Sequence, residues 1–300
     1  MAKAKGLEML NQAKAKEASM QGKWLRPGRS KWEELAERFI KAGNTLKVAK
    51  ELQEAGRAYV KAAEIYLQAS KDNRYDASSN YVTAAKCFVK ESPNHAVAAY
   101  SQALNIYVED GRFAMAAKLH KDVGDLLKAE SEVEKAIEAY QSAADFFEGE
   151  GSVIQANKCS LEVADLSVTL DDYTTAIAIY EKCATDASGS NLGKFGAKKY
   201  FLKAGLCHLV KDVVGAKKAL EKYVNIQLEF GGQREYKLLQ DCIEAVEAYD
   251  LEAFQKAVRD YDSLTRLDRW HTSLLLKVKN TLDTEGGDDL ENIDSDDDIC

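Results

Sequence analysis

The chain has 300 residues, 46 % of them hydrophobic, with only two prolines and 49 acidic against 41 basic side chains. Such a chain can bury a large core and suits a mostly helical globular protein; collagen-like, disulfide-stapled and globally disordered classes are excluded. No apolar run approaches the roughly 18 residues needed to span a bilayer, and the N-terminus lacks the unbroken apolar core of a secretory signal, so a cytosolic protein is expected.

Residues 2–20 read as an amphipathic helix, with Leu7, Leu10 and Ala13 on one side and lysines elsewhere, placed to cover the first hairpin. The next segment, 21–31, is broken by Gly22, Pro27 and Gly28 and sets Trp24 and Leu25 among Lys23, Arg26, Arg29 and Lys31, with no acid. Its composition leaves two readings. Either the indole sits in the headgroup layer of an anionic membrane, where each cation adds about 1 kcal/mol, or Trp24 folds back onto the first hairpin.

Helices are then expected over 31–48, 51–69, 74–90, 93–109, 112–128, 133–148, 153–168, 172–187, 195–210 and 213–230. Short turn-like breaks such as Lys71-Asp72-Asn73 and Asp110-Gly111 separate them, which makes neighbours antiparallel. The polar, Gly- and Ser-rich stretch 186–194 reads as a surface loop. After Phe230-Gly231-Gly232 the pattern changes, and RLDRWHTSLLLKVK (266–279) is apolar on more than one face. The expected organisation is a helical-hairpin solenoid over 1–231, a C-terminal helical bundle over 232–282 that plugs its end, and a disordered acidic tail over 283–300.

The hairpins repeat. AIEAYQSA (136–143) has relatives in AGRAYVKA (55–62), AVAAYSQA (96–103) and AIAIYEKC (176–183), with weaker copies at Leu220 and Tyr261. In each strong copy an alanine precedes a tyrosine by four positions, one stripe of a 3.6-period helix. Tyr59, Tyr100, Tyr140 and Tyr180 are spaced by 41, 40 and 40 residues. That period belongs to stacked helical hairpins of the tetratricopeptide-like kind, in which a small residue lets a neighbouring helix approach and the ring fills the gap beside it, so the fold class is all-α.

Six scattered cysteines without a C-x-x-C pair read as reduced, buried thiols, and four histidines show no ligand spacing; no metal and no cofactor are expected. Nine acids and no base lie between Asp283 and Cys300, which leaves a nearly neutral body; nucleic acid is therefore not the partner. Nucleophile elbows, phosphate-binding Gly-rich loops and H-E-x-x-H are all missing from the sequence, and the close acidic pairs sit where helices begin or end, so the protein is read as a non-enzyme.

The alternate helices carry a second periodic feature in GRFAMAAK (111–118), VIQANK (153–158) and KFGAK (194–198): Lys118, Lys158 and Lys198, 40 residues apart. Equivalent positions of successive repeats share a face, which makes a row with a spacing on the order of 20 Å. Such a row can track an extended acidic partner; it can also be a solvated face that serves only solubility. A general tetratricopeptide-like scaffold gripping an extended peptide is the alternative within binding modules, and the lysine spacing and the acidic tail do not favour it.

In DGRFAMAAKLH (110–120), AIEAYQSAADFFEGE (136–150), ANKC (156–159), AKKYFLKAGLCH (197–208) and YDSLTRLDRWHTSLLLKVK (261–279) the chain resembles the soluble NSF attachment proteins of the alpha/beta type. The resemblance spans roughly 31–282. It implies an adaptor, several copies of which surround a SNARE four-helix bundle of syntaxin-type and partner chains and bring it to the hexameric ATPase NSF, in the cytoplasm and peripherally on membranes. The implied SNARE-facing positions are Arg112, Lys118, Lys158 and Lys198, with Glu162 standing where the family can have a lysine. The implied NSF-facing positions are Asp212, Glu244 and Glu247, with Ala248 in place of a neighbouring acid, and Ile299 at the place of a stimulatory penultimate leucine. The implied membrane-attachment loop is the segment around Trp24 and Leu25, richer in charge than the family's.

Overall fold

The computed structural model describes residues 2–21, 28–189 and 193–291, with the side chains of Gln21 and 284–291 left aside. Among them are fourteen α-helices and no strand: α1 (Ala2–Gln21), α2 (Arg29–Val48), α3 (Leu52–Ala69), α4 (Arg74–Phe88), α5 (Pro93–Glu109), α6 (Phe113–Ala129), α7 (Val133–Gly149), α8 (Val153–Thr169), α9 (Tyr173–Ser188), α10 (Lys194–Lys211), α11 (Val213–Ile226), α12 (Arg234–Glu247), α13 (Leu251–Leu264) and α14 (Arg269–Glu291). The chain forms two compact units, 1–159 and 160–300. No helix among the described residues is long and apolar enough to cross a membrane.

The first unit explains the period. Helices α5, α6, α7 and α8 have 17 residues each, and three residues separate each from the next, so one hairpin occupies 40. Each separating link has a residue in the left-handed region, Gly111 (φ 68°), Ser131 (φ 63°) and Gly151 (φ 70°). There the chain closes a helix C-terminus: the next amide donates to the carbonyl five residues back, as in Arg112 to Tyr107, Glu132 to Leu127 and Ser152 to Phe147. That is the bond pattern of a Schellman cap, and it reverses the chain abruptly.

Each repeat is filled as the small-residue and aromatic stripe requires. Ala55, Ala96 and Ala136 have no exposed surface, and Tyr59, Tyr100 and Tyr140 are buried beside them. A Cβ added at Gly124 would lie 2.9 Å from the Tyr140 ring, so only glycine admits that close approach. A buried phenol also needs a partner. Tyr59 donates to Asn44 Oδ1 and Tyr140 to Asp125 Oδ1, each at 2.6 Å and each fifteen residues earlier on the preceding helix. Ala85 occupies the corresponding place before Tyr100, whose pKa desolvation pushes up to about 12.

In the second unit α9 packs on α10, and α10 also meets α11, α12 and α14. Tyr180 continues the stripe and donates to Asp165. One helix was expected over 213–230; instead α11 ends at Ile226, because Gln227 turns extended (φ −138°). The buried Gln227 amide accepts from Ser188 Oγ at 3.1 Å, and the 3-10 segment Leu228–Gly232 that follows carries Phe230 fully into the core. There Phe230 meets Phe201, whose ring stacks on Tyr223 at 4.7 Å. In α14 the side chains of Leu274, Leu275, Val278 and Leu282 are buried while Leu276 is exposed, so this helix has one apolar face where the sequence suggested several. It also continues to Glu291, into the segment expected to be unstructured from 283: once a helix is nucleated by packing, each added residue gains a backbone hydrogen bond.

Candidate interaction surfaces

In the first unit Arg112 stands at the N-cap of α6, with its guanidinium carbon 4.8 Å from the centroid of the Tyr75 ring. Such a cation–π contact holds the side chain in place while its charge stays exposed. Lys118 on α6 and Lys158 on α8 are both exposed, and neither forms an ion pair among the described residues. Behind Lys118, α6 is fixed to α7 by Phe113 and His120, whose rings lie 5.8 Å and 5.5 Å from that of Phe146. Burial lowers the His120 pKa, which favours the neutral ring near neutral pH.

Lys198, the third member of the expected row, is in a different state. Its ammonium lies 3.0 Å from Glu235 Oε1, a carboxylate only 5 % exposed at the start of α12. Glu235 Oε2 is buried without a hydrogen-bond partner among the described residues. Lys198 therefore neutralises a buried acid, a role that the repeat does not reveal because Glu235 belongs to a helix outside it.

The three acidic positions implied to face NSF also differ from one another. Asp212 caps α11, accepting the amide of Gly215. Glu247 pairs with Lys217 at 2.9 Å, and the hydrogen bond from Lys217 raises that ammonium's pKa. Glu244 is exposed, accepts from Gln240 Nε2 at 2.9 Å and lines a cleft of about 400 Å³ between α12 and α13 together with Asp241, Asp250 and Asp260. Ala248 lines the same cleft.

Trp24, Leu25 and Ile299 lie outside the described residues. Arg29, counted among the basic residues of the expected attachment segment, is instead the first residue of α2 and is tied to Glu33 and Asp72, each at 2.7 Å.

A protein-family model described as Soluble NSF attachment protein, SNAP, matches residues 3–283. The alpha-soluble NSF attachment protein of Mus musculus is 38 % identical over 256 residues, 85 % of this chain and 86 % of that one. The beta-soluble NSF attachment protein of Bos taurus is 37 % identical over 267 residues, covering 88 % and 89 %. A probable vesicular-fusion protein sec17 homolog of Schizosaccharomyces pombe is 36 % identical over 286 residues, covering 94 % and 98 %. Among solved structures, a signal-transduction ATPase with a tetratricopeptide repeat sensor from Pyrococcus horikoshii superposes with a TM-score of 0.50 at 17 % identity, over 84 % of this chain and 39 % of that one, a likeness of fold alone.

Proposed function

The chain belongs to the soluble NSF attachment protein family, and from that membership we propose that it is a non-enzymatic adaptor in vesicle fusion that binds assembled SNARE bundles and recruits the NSF ATPase to take them apart. The observation that carries this reading is the pair of exposed ammonium groups of Lys118 and Lys158, one repeat apart on α6 and α8 and without an ion pair among the described residues. A cation with no internal counter-ion keeps its full attraction for an external carboxylate, and two of them one hairpin apart suit a rod-like acidic partner.

Arg112 adds a third, orientationally fixed charge. Lys198 contributes only as far as a partner's acid can compete with Glu235. Glu244, with Asp241, Asp250 and Asp260 of the α12–α13 cleft, where Lys237 and Lys256 also stand, offers the opposite sign to a basic surface of the ATPase, and Glu247 contributes as far as that surface can compete with Lys217. The adaptor performs no covalent step, since ATP hydrolysis belongs to NSF. Its work is to raise the local concentration of bundle and ATPase, which several copies around one bundle multiply through their joint attachment. Trp24 and Leu25 would add attachment to an anionic membrane surface, and Ile299 at the end of the acidic segment would stimulate the ATPase.

The test is equilibrium binding of the purified chain to a soluble SNARE bundle at low and physiological salt. Lys118→Glu with Lys158→Glu should weaken binding at least about tenfold, most strongly at low salt, where screening is least, and leave the melting temperature unchanged. Undiminished binding by that variant would refute the reading.

A further inference from the structure

Most large apolar side chains left exposed in a helical repeat protein are scattered, and single ones need no explanation. Three of those exposed here are not scattered. Met115 is 40 % exposed, Ile154 73 % and Phe195 77 %. Each stands in the first turn of its helix, three or four residues ahead of one of the periodic lysines: Met115 before Lys118 on α6, Ile154 before Lys158 on α8, Phe195 before Lys198 on α10. Residues three and four apart lie one above the other on the same helix face. On α6 and α8 an apolar side chain and a cation thus share one exposed strip, whereas on α10 Phe195 stands ahead of a half-buried Lys198 that is engaged with Glu235. Alanines beside them, Ala116, Ala117 and Ala156, are buried, so the helices already have their inward faces without these three residues.

We infer that the surface bearing Lys118 and Lys158 is a mixed apolar and cationic interface, in which Met115 and Ile154 make direct contact with the acidic helical bundle that the lysines attract; this rests on the adaptor reading. The occupant follows from charge complementarity, because two ammonium groups without an ion pair among the described residues call for a carboxylate-bearing partner, and from shape, because apolar positions on the order of 20 Å apart suit an extended helical rod, several turns of which span that distance. The cations steer and orient the bundle. Apolar contact, which salt does not screen, then slows its release.

The two contributions separate by salt. Binding of the full chain to a soluble SNARE bundle is measured from about 0.1 M salt, where the screening length is about 10 Å, to about 1 M, where it is about 3 Å. Lys118→Ala with Lys158→Ala should flatten the salt dependence and converge on the parent chain at high salt. Met115→Ser with Ile154→Ser should lower affinity roughly tenfold at every salt concentration and leave the slope unchanged. Met115→Leu with Ile154→Val, which keeps apolar surface, should restore binding and so exclude a folding defect.

Parent-like affinity of the serine pair at high salt, beside a weakened lysine pair at low salt, would overturn this inference and leave the adaptor standing. No effect of either pair would refute both. Loss of binding to vesicles of anionic phospholipid by the serine pair, with bundle binding intact, would overturn the inference in favour of a membrane contact.

Discussion

In the first unit, α5 to α7 and the start of α8 are joined by links of one design, and none of the fully buried side chains among its described residues is charged. In the second, acids from α8, α9 and α12 turn inward, and each gathers groups from other helices. Asp165 accepts from Tyr180 and from Lys203 Nζ at 2.5 Å. Glu181 accepts from Lys222 Nζ at 2.6 Å and Tyr223 Oη at 2.8 Å, with His208 Nε2 3.2 Å away. Glu235 holds Lys198. The first unit is thus a repeat stabilised mainly by packing of small and aromatic side chains between sequence neighbours, whereas the second adds to the periodic Asp165–Tyr180 bond the clamps of Glu181 and Glu235, whose partners lie on helices that the period does not predict. Both units pair charges within the fold, as Arg29 with Asp72 and Arg74 with Asp110 show in the first, but the repeat lysines Lys118 and Lys158 have no ion pair among the described residues whereas Lys198 does.

The sharpest test of that contrast compares two lysines at equivalent repeat positions. Lys198→Ala leaves Glu235 buried without its cation and should cost about 3–5 kcal/mol of unfolding free energy. Lys118→Ala should stay within about 0.5 kcal/mol. Adding Glu235→Gln to Lys198→Ala should recover most of the loss, because a neutral amide is far cheaper to bury than a lone carboxylate. Denaturant melts of the four chains measure it, and equal losses for the two lysines would erase the distinction between the units.

A smaller effect is expected from Glu181. Burial opposes its ionisation, but hydrogen bonds from His208, Lys222 and Tyr223 outweigh burial and hold its pKa at about 2. A carboxylate with a depressed pKa stabilises the fold fully above its unfolded value near 4.5 and loses that contribution as pH falls towards 2. Glu181→Gln should therefore lower stability by about 2–3 kcal/mol at pH 7 and flatten the loss between about pH 5 and pH 2 in thermal melts of the second unit's helices. An unaltered pH profile would show that the clamp contributes nothing.

The smallest difference lies inside the repeat itself. Tyr140→Phe removes a phenol that donates to Asp125 and should cost about 1 kcal/mol. Tyr100→Phe, where Ala85 stands in the acceptor's place, should be neutral or slightly stabilising. Melting temperatures of the two variants decide whether the tyrosine ring or its hydroxyl is what the repeat uses.

Composition and periodicity already contain the helices, because helix length, link length and the small–aromatic stripe are local properties, and 17-residue helices with three-residue links must return every 40 residues. The same spacing made Lys118 and Lys158 recognisable. Even the tyrosine acceptors were legible in principle: Asn44, Asp125 and Asp165 each precede a stripe tyrosine by fifteen residues, a separation that the hairpin geometry fixes. What the sequence could not reveal is which one of the three equivalent lysines the fold engages. Lys198 meets Glu235, on a helix beyond the repeat, only because α10 packs on α12. The early end of α11 has the same kind of cause, since the Gln227 amide finds Ser188 of α9 and Phe230 finds Phe201 of α10. Pairings of that kind depend on which helices come to lie together, and no local pattern encodes them; tertiary packing alone separated the charges that serve the fold from those left for a partner.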